Sequence, residues 1–102
     1  MDYLNQNKVN VAVQVLPVSK NKESYDIVDS AIEVIQKSGA KYVVTPFETV
    51  MEGQYDDLMK VVKDVQNICY SAGAEKVMCY VKIQSVAQTD VTIDDKIGKY
   101  SD

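Results

Sequence analysis

The sequence predicts an α+β domain in which two helices cover one face of a four-stranded antiparallel sheet. Three observations predict it: strict apolar alternation in two segments, two apolar stripes at helical spacing, and a short repeat that joins each helix to a strand. A chain of 102 residues can bury about two-thirds of the surface that it exposes when unfolded. We therefore expect a single domain over 1–102, with its core within about 8–85 and a polar C-terminal tail at 86–102.

The first strand is predicted from Val9 to Val15, where valines alternate with polar or small residues. Pro17 is expected to end this strand because proline cannot donate a hydrogen bond to a neighbouring strand. A helix from about 22 to 38 follows, since apolar residues recur there at three- and four-residue spacing. Gly39 comes next, where a helix end favours a left-handed residue.

The second half of the chain repeats this order of elements. Lys41 to Val44 is a predicted strand, and Pro46 marks an edge, a bulge or the turn to a third strand. Gly53 ends that extended run. A second helix is predicted from about 54 to 72 and a last strand from 75 to 84.

An internal repeat defines the topology. Residues 38–43, SGAKYV, are similar to residues 72–77, AGAEKV, and each copy joins a helix end to a strand start. The element order is therefore βαββαβ. Right-handed crossovers turn this order into a four-stranded antiparallel sheet with both helices on one face, which is the ferredoxin-like fold.

The helices leave the second face of the sheet, here called the open face, uncovered. Alternation places there the side chains of Asn10, Ala12, Gln14, Met78, Tyr80 and Lys82. An open face on this fold binds RNA, binds a small ligand or packs against another subunit. Because a partly apolar patch favours an interaction site, we expect a homo-oligomer.

The composition excludes several classes of function. The chain has no His and no Arg, its 11 basic residues are all Lys, and its net charge is −4. Ser-His and Cys-His catalysis within one chain, His-rich metal sites and acylphosphatase-type phosphate binding by Arg are therefore excluded. The acidic balance argues against a nucleic-acid partner and is compatible with a cationic ligand. Regulatory domains that bind amino acids stay possible.

The cysteines and the apolar runs indicate a cytoplasmic protein. Cys69 and Cys79 lie ten residues apart without a CxxC motif, so we expect no metal site but two buried, reduced and functionally silent thiols. No apolar run approaches the ~18 residues that span a membrane, and residues 1–8 contain no signal-peptide core. No membrane partner is therefore expected.

A motif in the middle of the chain resembles a known family. Residues 45–53 read TPFETVMEG and match the T-P-x-x-T-x-[IM]-E-G motif of the small thiamine-binding proteins. The first strand with its proline and the run 38–42 are also similar to that family. The resemblance covers about 8–85, and the tail after Val86 matches nothing in it. It implies a ferredoxin-like domain, commonly a tetramer, that binds thiamine or its hydroxymethylpyrimidine part without catalysis.

The resemblance implies a ligand site beside the segment between strands two and three. Thr45, Thr49 and Glu52 are expected to supply polar contacts, and Tyr80 to stack on a ring of the ligand. Glu48 is expected to point to solvent, although it shares parity with Glu52, so this assignment needs a bend or the helix start between the two. If Glu48 binds the ligand instead, then Glu52 is only a residue at the start of a helix.

Each site residue also has a structural interpretation. Thr45 and Thr49 suit strands, Pro46 shapes a hairpin, and Tyr80 packs in an oligomer interface. Two further functions are therefore kept open: a structural or regulatory oligomeric interaction protein without a thiamine ligand, and, less favoured, an enzyme on the same scaffold. We expect no catalytic residue, and no cofactor beyond the ligand itself.

Overall fold

The computed structural model describes residues 1–100 and has the βαββαβ order predicted from the sequence. The elements are β1 Val9–Val18, α1 Ser24–Lys37, β2 Lys41–Val44, β3 Thr49–Gly53, α2 Tyr55–Ser71, β4 Lys76–Gln84 and α3 Ile93–Ile97, followed by a 3-10 turn at Gly98–Tyr100. The predicted bounds of both long helices and of the last strand agree to within two residues.

The sheet has the strand order β2-β3-β1-β4, and every neighbouring pair is antiparallel. Helices α1 and α2 pack against each other and against β1, which confirms the ferredoxin-like fold. The core between helices and sheet contains the alternating valines of β1 and the apolar stripes of both helices: Val9, Val11, Val13, Val15, Ile27, Ile35, Leu58 and Val65. Each such side chain contributes about 1.5–3 kcal/mol when it is fully buried.

The prediction that β1 ends at Pro17 is wrong, because the strand continues to Val18. β1 pairs with β3 only as far as Val13, whereas its pairing with β4 continues to Val18. The Val18 carbonyl accepts a hydrogen bond from the Glu75 amide at 2.7 Å, on the β4 side. Successive residues alternate sides, so the nitrogen of Pro17 points to the side where β3 is absent and no donor is needed.

The repeat places the same residue at both helix ends. Gly39 follows α1 with φ 84°, and Gly73 follows α2 with φ 113°. These positive angles suit glycine because it has no side chain beyond Cα to clash with the backbone. Each reversal returns the chain to the sheet at the start of the next strand.

The C-terminal tail covers one end of the open face. Val91 and Ile93 are buried, and α3 packs against β3. The Val91 amide donates to the Lys8 carbonyl at 2.9 Å, and the Lys8 amide donates to Asp90 Oδ1 at 2.8 Å. The tail, expected from the sequence only to be polar, therefore packs back on the domain as a cap.

Candidate functional site

A cavity of about 330 Å³ lies on the open face between the sheet and the tail. Its floor is a row of directly opposed residues, one from each strand: Val43, Val50, Ala12 and Lys82. The roof is formed by Ile93, Lys96 and Ile97 of α3. The cavity therefore has an apolar floor with a cation at its β4 end.

The turn between β2 and β3 forms one wall of the cavity. The Thr45 hydroxyl donates to the Glu48 carbonyl at 2.6 Å and accepts from the Glu48 amide at 3.1 Å. The Thr45 amide donates to the same carbonyl at 2.9 Å. Pro46 lies at the second position of this turn, where its fixed φ is favourable. The first half of the family motif thus fixes the backbone that carries Glu48.

Glu48 lies at the cavity and not in open solvent, so that expectation is wrong. Its side chain is 24% exposed, and its Oε2 lies 3.0 Å from Lys82 Nζ, whose side chain is 72% exposed. No bend separates Glu48 from Glu52: β3 is regular from Thr49 onward and both glutamates lie on the open face, as their shared parity predicts.

Glu52 is nearly buried and holds the tail. Its Oε1 accepts a hydrogen bond from the Ile93 amide at 2.7 Å, and the residue is only 8% exposed. Opposite it on β2, Lys41 pairs with Asp94 at 2.8 Å. The Lys41 pKa is raised mainly by its hydrogen bond to Asp94, and attraction to Glu52 adds to this. Glu52 and Lys41 therefore hold the start of α3 over the sheet.

Asn10 is a buried polar residue with an unused acceptor. It is 3% exposed and lines the cavity, and its Nδ2 donates to the Val91 carbonyl at 3.0 Å. Its Oδ1 has no hydrogen-bond partner within residues 1–100. A buried acceptor without a hydrogen-bond partner destabilises a structure by about 1–3 kcal/mol. A ligand that donates a hydrogen bond to Oδ1 would remove this cost and so bind more tightly.

The structure brings together only part of the site predicted from the motif. Thr45 lines the cavity and Glu52 supports its roof. Tyr80 is on the open face opposite Gln14, half exposed and outside the cavity, with its hydroxyl 2.8 Å from Met78 Sδ. Thr49 is 5% exposed and pairs with Val13 on the helix-covered face.

Most of the cavity lining was absent from the predicted site, including its five other polar or charged residues: Asn10, Glu48, Lys82, Gln84 and Lys96. Parity could have identified Glu48, since it shares the face of Glu52. Asn10 and Lys82 were placed on the open face by alternation, but nothing local showed that they border a cavity. Lys96 depends on the position of the tail, which no local pattern determines.

A larger groove of about 710 Å³ lies between the end of α1 and the start of α2. Its charges are balanced, with Lys8, Lys37 and Lys60 against Glu52, Asp57 and Asp64. None of its lining residues within the described chain has a buried side-chain nitrogen or oxygen without a hydrogen-bond partner. We therefore place the candidate site in the smaller cavity, where a buried acceptor and a half-buried carboxylate converge.

The thiols are remote from this cavity. Cys69 is buried on α2, and Cys79 is partly buried on the helix side of β4, opposite Val15; both are free. Burial raises the pKa of both thiols. Within residues 1–100, no three acidic or cysteine side chains are grouped as a metal ion requires, and no helix is long and apolar enough to cross a bilayer.

Fold and cavity together define a small ferredoxin-like domain with a ligand-sized pocket on its open sheet face. The chain belongs to the thiamine-binding protein family, whose sequence profile matches residues 11–101. The motif-based resemblance is thus confirmed, but the view that it ends near residue 85 is wrong. The family pattern includes the tail, which is the part of the chain that roofs the cavity.

Similar proteins are known from several bacteria. A UPF0045 protein of Clostridium perfringens is 45% identical over 91 residues, which is 89% of this chain and 95% of that protein. A domain of unknown function from Bacillus cereus has a solved structure with TM-score 0.91 and 46% identity, covering 94% of this chain and 92% of that one. A Thermotoga maritima protein, provisionally assigned to thiamine biosynthesis or salvage, has TM-score 0.83 and 31% identity, covering 92% and 99%.

Proposed function

We propose that this protein binds thiamine, or its hydroxymethylpyrimidine part, in the open-face cavity without catalysing a reaction on it. Membership of the thiamine-binding protein family supports the ligand class. The observation that carries the proposal is the half-buried carboxylate of Glu48 beside an apolar floor. A volume of about 330 Å³ is at the small end of the ~300–1,000 Å³ typical of ligand pockets, which suits a small heterocycle.

The cavity offers complementary groups for each part of such a ligand. An aminopyrimidine carries an exocyclic amine that can donate to Asn10 Oδ1 or to the Glu48 carboxylate. A thiazolium ring carries a permanent positive charge, which Glu48 attracts. Hydrogen bonds that involve a charged group contribute about 1.5–3 kcal/mol each. The apolar floor at Ala12 and Val50 packs against the ring faces.

The residues of the motif have different roles in this proposal. Thr45 shapes the turn that presents Glu48, and Glu52 holds the roof through the Ile93 amide. Thr49 packs beneath the turn on the other face of the sheet. Tyr80 is proposed to stack on the ligand in a homo-oligomer, most simply a tetramer, in which a neighbouring subunit extends the cavity wall.

Calorimetric titration of the protein with thiamine and with hydroxymethylpyrimidine tests the proposal. We expect Glu48→Gln to weaken binding about ten- to a hundred-fold, because it removes one charge-assisted contact. Glu33→Gln is the matched control, since Glu33 is also ion-paired with a lysine but lies exposed on α1. It should leave the affinity unchanged.

Two outcomes would contradict the proposal. If the unmodified protein binds neither compound, thiamine binding fails and a structural or regulatory interaction protein becomes the better interpretation. The half-exposed apolar residues of the open face, Leu16, Val18, Met78 and Tyr80, favour that alternative. If Glu48→Gln binds as tightly as the unmodified protein, the ligand class stands but the cavity has been misassigned.

A further inference from the structure

The charges that line the cavity do not balance. Lys82 is paired with Glu48 at 3.0 Å, so these two charges compensate. Lys96, on the roof, adds a second positive charge and has no ion-pair or hydrogen-bond partner among residues 1–100. Two positive charges and one negative charge therefore leave the cavity with a net charge of +1.

Two of the nearby acidic groups are engaged elsewhere, and a third, Asp95, does not line the cavity. Asp94 pairs with Lys41, and Glu52 accepts the Ile93 amide. Neither of these acidic residues lines this cavity. Lys96 is exposed as a whole, and partial burial lowers its pKa, as expected for a lysine beside a cavity without an anionic partner.

Free thiamine can place its thiazolium beside Glu48 but offers no negative group to Lys96, because the thiazolium is its only permanent charge. A phosphate monoester on its hydroxyethyl arm adds about −1.5 to −2 charge at neutral pH, together with strong acceptor oxygens. Lysine binds phosphate as a compact point charge, so the absence of Arg from the chain is no obstacle.

We propose that the cavity prefers the phosphate monoester of its thiamine-type ligand over the free alcohol, with Lys96 contacting the phosphate and Lys82 assisting. This inference rests on the proposed function, since it adds a charged group to the same ligand at the same site. The ester keeps the amine for Asn10 and the cationic ring for Glu48, so each lining charge meets its opposite.

Calorimetry with thiamine and with thiamine monophosphate, on the unmodified protein and on Lys96→Gln, tests this preference. We expect the monophosphate to bind at least ten-fold more tightly than thiamine to the unmodified protein. Lys96→Gln should remove that preference while leaving thiamine affinity equal or slightly higher. Lys76→Gln is the matched control: Lys76 lies on the same strand six residues from Lys82, about 20 Å along it, and should keep the preference.

The outcomes separate this inference from the function on which it rests. Equal affinity for the two compounds, or a preference that survives in Lys96→Gln, overturns the phosphate assignment and leaves thiamine binding intact. Binding of neither compound overturns the proposed function and this inference with it. Circular dichroism of each variant confirms that the fold is retained, so that a change in affinity reports on the charge.

Discussion

Glu48 and Glu52, the two carboxylates of the motif, lie on the open face of the sheet but meet different partners. Glu48 faces a lysine side chain at the cavity, whereas Glu52 accepts a backbone amide from the tail. A carboxylate paired with an exposed lysine can exchange that partner for a ligand at little cost, because surface ion pairs are weak. A buried carboxylate that accepts a backbone amide cannot exchange its partner at so little cost. We therefore propose that Glu48 contacts the ligand and that Glu52 supports the roof of the cavity.

The ionisation of the two thiols should affect stability only at alkaline pH. Burial raises the pKa of Cys69 and Cys79 above the ordinary thiol value, and the charge of Cys79 adds to the effect on Cys69. A pKa that is raised in the folded state contributes stability below the unfolded value, and this is lost as pH rises through the folded value. We therefore expect the free energy of unfolding to fall more steeply above about pH 9 in the unmodified protein than in the Cys69→Ala/Cys79→Ala variant.

Urea unfolding followed at a series of pH values measures this difference. The variant should also bind thiamine within a few-fold of the unmodified protein, since both thiols lie on the helix side of the sheet. Parallel pH profiles would contradict the predicted effect of thiol ionisation on stability, and loss of binding with the fold retained would show that the thiols are not functionally silent.

At the scale of elements, the tail completes the cavity, and Glu52 holds the tail in place by a hydrogen bond. Glu52→Ala leaves the Ile93 amide without its acceptor, so we expect a loss of about 1–3 kcal/mol in the free energy of unfolding. Hydrogen exchange at residues 90–97 should accelerate more than exchange in β1. Glu75→Ala is the control, because Glu75 also accepts a backbone amide, at 3.2 Å from Lys20, but in an exposed position. Unchanged exchange in the tail of Glu52→Ala would contradict the assigned role.

Alternation and helical spacing predicted most of these elements because they depend on local burial. The valines of β1 and the stripe of α2 have the same period in the sequence as in the core. The tail was not predicted because Val91 and Ile93 are spaced too sparsely to form a pattern. Their burial depends on contacts with Lys8 and Glu52, more than 40 residues away. The cavity was not predicted for the same reason, because the tail forms its roof.

At the scale of the whole molecule, the part of the open face beyond the cavity remains uncovered by the chain itself. Leu16, Val18, Met78 and Tyr80 are about half exposed there, on adjacent strands. We propose that a second copy of the chain covers this patch. Tyr80→Asp should then dissociate the assembly, because it places a charge in an apolar contact. Light scattering at micromolar concentration measures the change, and a monomer in the unmodified protein would refute the proposed assembly.

The position of the ligand is tested most directly by nuclear magnetic resonance, with amide shifts followed as thiamine is added to the labelled protein. We predict that the largest shifts occur at the side-chain amide of Asn10 and at the backbone of Glu48, Lys82 and Ile93, which surround the cavity on all sides. Shifts that instead cluster in the groove between the helices, around Ser38 and Asp57, would contradict the assignment of the site to the open face.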